Sequence, residues 1–223
     1  MIARYDFHGR TALITGGAGG IGAAVARALQ SGGAQVATFD SRATDLDGVL
    51  AIEGDVRRSE DVDAAVARVG AELGPLDIAV CAAGVSGDSL ATVDVGDEEW
   101  RRVFAINCDG VFFTNRAAAR VMVPHGYGRI VNVASIAGKE GNPTLMPYSA
   151  SNGIRRVRLR PDALGSSTRQ SPSSRATGCF GLSMIVAATK QCVAPSSSGT
   201  SLQAAARKAS GSQSRQSSST SDP

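Results

Sequence analysis

The first 152 positions alternate between short apolar runs and apolar stripes at helical spacing. The run at 11–15 (Thr-Ala-Leu-Ile-Thr) ends in a glycine cluster. Ile21, Val25, Ala28 and Leu29 then recur on one helical face until Ser31, Gly32 and Gly33 stop it. Runs at 35–40 and 49–56 predict a second and a third strand. Val62, Val66, Val69 and Leu73 stand at i, i+4, i+7 and i+11 among acidic residues, which predicts an amphipathic helix ended by Gly74-Pro75. A fourth strand is expected over 76–81, a long helical stretch over 97–123 and a fifth strand over 129–134. This alternation predicts an α/β chain with a Rossmann-type, doubly wound parallel sheet. Ligands of such sheets sit beyond the carboxyl ends of the strands, so those turns hold the candidate chemistry.

The pattern breaks at residue 153. Residues 1–152 carry a net charge of −5 and residues 153–223 one of +8, so the overall +3 describes neither part. Ser, Ala, Gly, Pro and Arg make up 44 of the last 71 residues, which contain no Glu, Asn, Tyr, Trp or His. The sequence therefore divides into a folded domain, 1–152, and a Ser/Arg-rich tail, 153–223. Three readings of the tail stand open. Its five abundant residues are what GC-rich codons give when read out of frame. Its composition also suits a disordered appendage. Arg155, Arg156, Arg158 and Arg160 suit a basic patch for nucleic acid or an anionic membrane, but no aromatic residue interleaves with them. Within the tail, 182–188 (Leu-Ser-Met-Ile-Val-Ala-Ala) is the tract apolar enough to pack.

Composition removes several function classes. No apolar run reaches the roughly 18–20 residues of a membrane-spanning helix. The first eight residues contain no apolar signal region, so a cytoplasmic protein is expected. Cys81, Cys108, Cys179 and Cys192 form no CxxC pair, and His8 and His125 cannot build a multi-histidine centre, so no metal site is expected.

The glycine cluster lies between a strand and a helix. Thr15, Gly16, Gly20, Ile21 and Gly22 form a turn whose backbone can approach a pyrophosphate, with the free N–H groups and partial positive charge of a helix start behind it. Asp40 ends the second strand, 20 residues after Gly20. A carboxylate there accepts both ribose hydroxyls and repels a 2′-phosphate, which favours NAD over NADP, while Arg42 nearby works against that preference.

The order Thr15-Gly16-x-x-x-Gly20-x-Gly22, Asp55-Val56, Ala83-Gly84, Asn107, Ser135 and Tyr148 resembles the short-chain dehydrogenase/reductase family over about residues 7–151. The resemblance implies hydride transfer between a nicotinamide cofactor and a secondary alcohol or ketone. It implies that Asp55 and Val56 touch the adenine and that Ala83 and Gly84 line the cofactor. It makes Tyr148 the proton donor and acceptor, Ser135 the group that orients the substrate oxygen, and Asn107 the holder of a relay water. Members are typically dimers or tetramers, an association expected to be weakened here. The expected partner is a small molecule, with neither nucleic acid nor membrane.

Two departures stand out. The family's Asn-Asn-Ala-Gly reads Cys81-Ala82-Ala83-Gly84, which removes the amide that braces the central strands. The family's Tyr-x-x-x-Lys reads Tyr148-x-x-x-Asn152, which removes a positive charge from beside a phenol that ordinarily titrates near 10. The C-terminal strands and the substrate loop are expected to be missing. The expected activity is an NAD-preferring dehydrogenase. The alternatives are a catalytically impaired dinucleotide-binding protein and, within the family, a 3-oxoacyl-carrier reductase.

Overall fold

The computed structural model describes residues 5–154 and the backbone of the strand Met184–Thr189, all within one compact unit, Met1–Lys190. The tail readings, including the arginine patch, concern residues outside those described, apart from Gly153, Ile154 and that strand.

Strands β1 (Thr11–Thr15), β2 (Gln35–Asp40), β3 (Leu50–Glu53), β4 (Ile78–Cys81), β5 (Arg129–Ser135) and β6 (Met184–Thr189) form one sheet of order β3-β2-β1-β4-β5-β6. Every pairing in it is parallel. Helices α1 (Gly20–Ser31), α2 (Ser59–Glu72), α3 (Asp97–Phe104), α4 (Gly110–Met122), α5 (Ala137–Glu140) and α6 (Met146–Ile154) complete the described elements, with a π-helical turn at Ala105–Asp109.

The period of two sorts β1 between two cores. Leu13 faces one cluster with Phe39, Ile52 and the buried stripes of α2 (Val62, Val66, Val69) and α4 (Ala117, Ala118, Met122). Ala12 and Ile14 face the other, with Val36, Val80 and α1 residues Ala26 and Leu29. A sheet covered on both faces explains why its strands read as continuous apolar runs. The strand order reverses between β1 and β4, which opens a crevice at their carboxyl ends.

Three features differ from the expected pattern. The long helix over 97–123 is interrupted by the π-helical turn that contains Asn107. The third strand ends at Glu53: Gly54 N–H makes the last ladder bond, to the Asp40 carbonyl, and Asp55 N–H then bonds to Asp61 Oδ2, which turns the chain toward α2. The sheet also has a sixth strand, beyond the five expected, inside the region where C-terminal strands were expected to be missing. β6 coincides with the apolar tract at 182–188, and its backbone satisfies a β5 edge that would otherwise be open.

Candidate active site

The turn from β1 into α1 follows from the conformations its residues allow. Gly16 has φ +74°, in the left-handed region, and a Cβ there would lie 2.7 Å from Ala83 N. The glycine loop thus lies directly against the chain leaving β4. Thr15 ties the two ends together. Its carbonyl accepts from Ala82 N–H and its hydroxyl from Ala83 N–H, each at 3.2 Å. The sequence makes Thr15 only a cofactor contact; the structure shows it bracing the central strands where the Asn-Asn amides are missing. Cys81 ties β4 to α4, its buried thiol donating to Asn115 Oδ1 at 3.3 Å.

Helix α1 begins after Gly19 with no side-chain cap and no acid in its first turn. A Cβ on Gly22 would run into the Gly16 carbonyl. A Cβ on Gly20 would meet nothing within 4 Å, so no neighbour in the chain requires glycine there. Ile21 beside it is exposed. An uncapped helix start facing open space fits the phosphates of a dinucleotide.

Asp40 borders this opening. Its Oδ2 accepts from Ala18 N–H at 3.0 Å and its Oδ1 from Arg42 N–H at 3.1 Å, with the Arg42 guanidinium 4.0 Å away. Oδ1 also accepts from the exposed Ser41 Oγ at a long 3.5 Å. Of the roughly four acceptor positions of a carboxylate one is therefore open, and the one this hydroxyl holds can be exchanged for a ribose hydroxyl. Asp55 is engaged differently. Arg57 Nε bonds both its oxygens, at 3.0 and 2.7 Å, and this guanidinium holds the Asp55 carboxyl below the usual carboxylate range. The Val56 side chain is buried in the core. Gly84 is exposed at the end of β4.

Asn107 is fully buried at the π-helical turn. Its Oδ1 accepts from Val85 N–H at 2.9 Å, and its Nδ2 donates to Val85 O at 2.9 Å and to Ser151 Oγ at 3.0 Å. Its side chain thus clamps the loop after β4 to α6. Ser135 is buried at the end of β5, with its Oγ accepting from Ala137 N–H at 3.2 Å, which fixes the hydroxyl where the strand turns into α5. Tyr148 is half-buried on α6. Asn152 is 1% exposed and folds back along the helix, its Nδ2 donating to the Tyr148 carbonyl at 2.9 Å. Helix α6 packs on α5, α3 and the π-helical turn. Sequence reasoning missed Ser151, Val85 and Ala18, whose contributions are hydrogen bonds between distant segments.

The two histidines stand apart from this cluster. His8 pairs with Asp6 at the surface, and His125 is exposed. Among the described residues no group of three or more His, Cys, Asp or Glu could hold a metal ion, and no helix is long and apolar enough to cross a membrane.

Comparison with known proteins follows the same residues. The family described as short chain dehydrogenase matches residues 10–154. The 2-dehydro-3-deoxy-L-rhamnonate dehydrogenase (NAD(+)) of Sphingomonas sp. (strain SKA58) is 39% identical over 152 residues, covering 65% of this chain and 61% of that protein. The 3-oxoacyl-(acyl-carrier-protein) reductase FabG of Rickettsia typhi is 36% identical over 154 residues, covering 66% of this chain and 62% of that protein. Among solved structures, the 3-ketoacyl-(acyl-carrier-protein) reductase of Brucella melitensis complexed with NADH superposes with a TM-score of 0.64 at 30% identity, over 67% of this chain and 66% of that one. The chain spans about three fifths of the length of the curated relatives it matches.

Proposed function

The chain belongs to the short-chain dehydrogenase family, and we propose that it is an oxidoreductase that uses a nicotinamide dinucleotide, NAD in preference to NADP, on a secondary alcohol or ketone. The observation that carries the reading is the uncapped start of α1, open at Gly20 and bordered by Asp40. The N–H groups of Gly20, Ile21 and Gly22 receive the pyrophosphate, and Asp40 takes the ribose hydroxyls at its open acceptor position and at the one Ser41 Oγ gives up. Ala83 and Gly84 line the crevice beside the loop, and Asp55 sits at its adenine end. The nicotinamide ring, when bound, supplies the hydride or its acceptor. Ser135 orients the substrate oxygen, and Tyr148 exchanges the proton with it at its phenol oxygen. Asn107 keeps the loop after β4 and α6 in register around that oxygen. The names of the relatives suit either a sugar acid or a 3-oxoacyl group on its carrier, and a small-molecule substrate corresponds to the former.

A second reading has its own observation. Position 152 carries no charge, and its amide is committed to the Tyr148 carbonyl, so nothing there acts on the phenol electrostatically. That favours a chain that binds the dinucleotide with little or no turnover. The two readings separate on a panel of secondary alcohols with NAD. Turnover supports the enzyme; saturable NADH binding without turnover on any of them supports the binding protein. Asn152→Lys alone is expected not to raise the rate, because the ammonium would have to leave a buried position.

A further inference from the structure

We propose that Ser151 is a positioning residue for Tyr148, its buried hydroxyl coupling the turn of α6 that carries Tyr148 to Asn107 and the loop after β4. The inference rests on the reading of Tyr148 as the group that exchanges the proton. Ser151 is 0% exposed. Its Oγ accepts from Asn107 Nδ2 at 3.0 Å and donates to the Tyr148 carbonyl at 2.9 Å, which uses one acceptor position and the one O–H of a serine.

A serine that bonds a carbonyl three residues back follows a local helical habit and by itself carries little. The second bond changes its meaning, because the donor is a buried amide 44 residues away. That amide has no freedom to turn over. Val85 N–H requires Oδ1 and Val85 O requires Nδ2, so the remaining N–H of Nδ2 points at Ser151. The chain Val85–Asn107–Ser151–Tyr148 C=O is therefore directional from end to end. The Cys108 thiol, 3.7 Å from the Ser151 carbonyl, ties the same π-helical turn to the same residue. The bonds converge where α6 meets the turn, three residues after Tyr148.

Removing the hydroxyl leaves the fold supported. In Ser151→Ala, Asn107 keeps both bonds to Val85, and the Tyr148 carbonyl keeps its bond from Asn152 Nδ2. What is lost is the link that fixes the carrying turn against the loop. The effect should therefore fall on the placement of Tyr148 rather than on cofactor affinity.

The test uses the full chain with 13C-labelled tyrosine rings, saturated with NADH. The three tyrosines, Tyr5, Tyr127 and Tyr148, give three signals. In Ser151→Ala the Tyr148 signal is expected to move while Tyr5 and Tyr127 stay, and kcat is expected to fall about tenfold with the KM for cofactor held within about twofold. Ser151→Cys, close in volume and a weaker donor, should move the same signal by less; it decides the matter if Ser151→Ala does not fold. An unchanged Tyr148 signal in a folded variant overturns the proposal, as does a uniform shift of all three signals. A parent chain without turnover sinks the enzyme reading but not this one, because the ring signal is read without turnover.

Discussion

Gly20→Ala separates binding from folding. The substitution adds a methyl group at the first position of α1, where a Cβ meets nothing within 4 Å. Replacing glycine with alanine in a helix is worth roughly 0.5–1 kcal/mol in favour of the fold. Stability should therefore hold or rise slightly. The same methyl projects into the space assigned to the dinucleotide phosphates. Crowding a fitted site by one carbon typically costs about 1–3 kcal/mol, or roughly fivefold to 150-fold in Kd. Gly16→Ala is the control in the opposite sense. There the left-handed backbone costs about 1–2 kcal/mol, and the Cβ lies 2.7–2.9 Å from the backbone of Ala82 and Ala83, which has no free end to swing away. Together these are expected to cost about 2–5 kcal/mol, a large part of the roughly 5–15 kcal/mol that holds a domain together. NADH titration by fluorescence and thermal denaturation read the two effects apart. The reasoning fails if Gly20→Ala binds NADH as tightly as the parent, or if it melts as early as Gly16→Ala.

Asp40→Ala should free Ala18 N–H and narrow the margin of NADH over NADPH; equal margins in parent and variant would remove Asp40 from selectivity. Gly138→Ala would set a Cβ 2.5 Å from the backbone carbon of Asn152. It should force α5 and α6 apart at a cost of about 1–3 kcal/mol, and a denaturation midpoint equal to the parent's would contradict that contact. Asp55 and Glu99 are both held below the usual carboxylate range, Asp55 by hydrogen bonds from Arg57 and Glu99 by those from Arg102 and Asp88 N–H. Their contribution is complete above the ordinary carboxylate values near 4 and is lost as pH falls through the lower folded values. Arg102→Gln should make the chain less stable at pH 7 and reduce the further loss on acidification, as followed by urea denaturation. An identical pH dependence in parent and variant would show that the pair does not act.

The elements legible in the sequence are those whose signal is local. β1 and β2 stand where their apolar runs place them, because each has a continuously buried interior and a glycine beside it, Gly16 after β1 and Gly33 before β2. The glycine loop was legible for the same reason. The π-helical turn was not, since Ala105–Asp109 carries no breaker and the side-chain period barely changes. The strand β6 was visible as an apolar tract without a partner, because pairing with β5 is a property of the sheet edge and not of the tract. The bonds of Asn107 to Val85 and Ser151 span 22 and 44 residues, and no spacing rule announces them. The sequence marks Asn107 as a residue of interest; the fold shows that its side chain acts as a clamp.

The central claim, that the start of α1 holds a nicotinamide dinucleotide, is tested most directly by following backbone amide signals of the full chain by NMR during NADH addition. The account predicts that Gly20, Ile21 and Gly22 shift most, followed by Ala18, whose N–H is held by Asp40, and by Ala83 and Gly84. Saturation without shifts at 20–22, or with the largest shifts elsewhere in the chain, would contradict it.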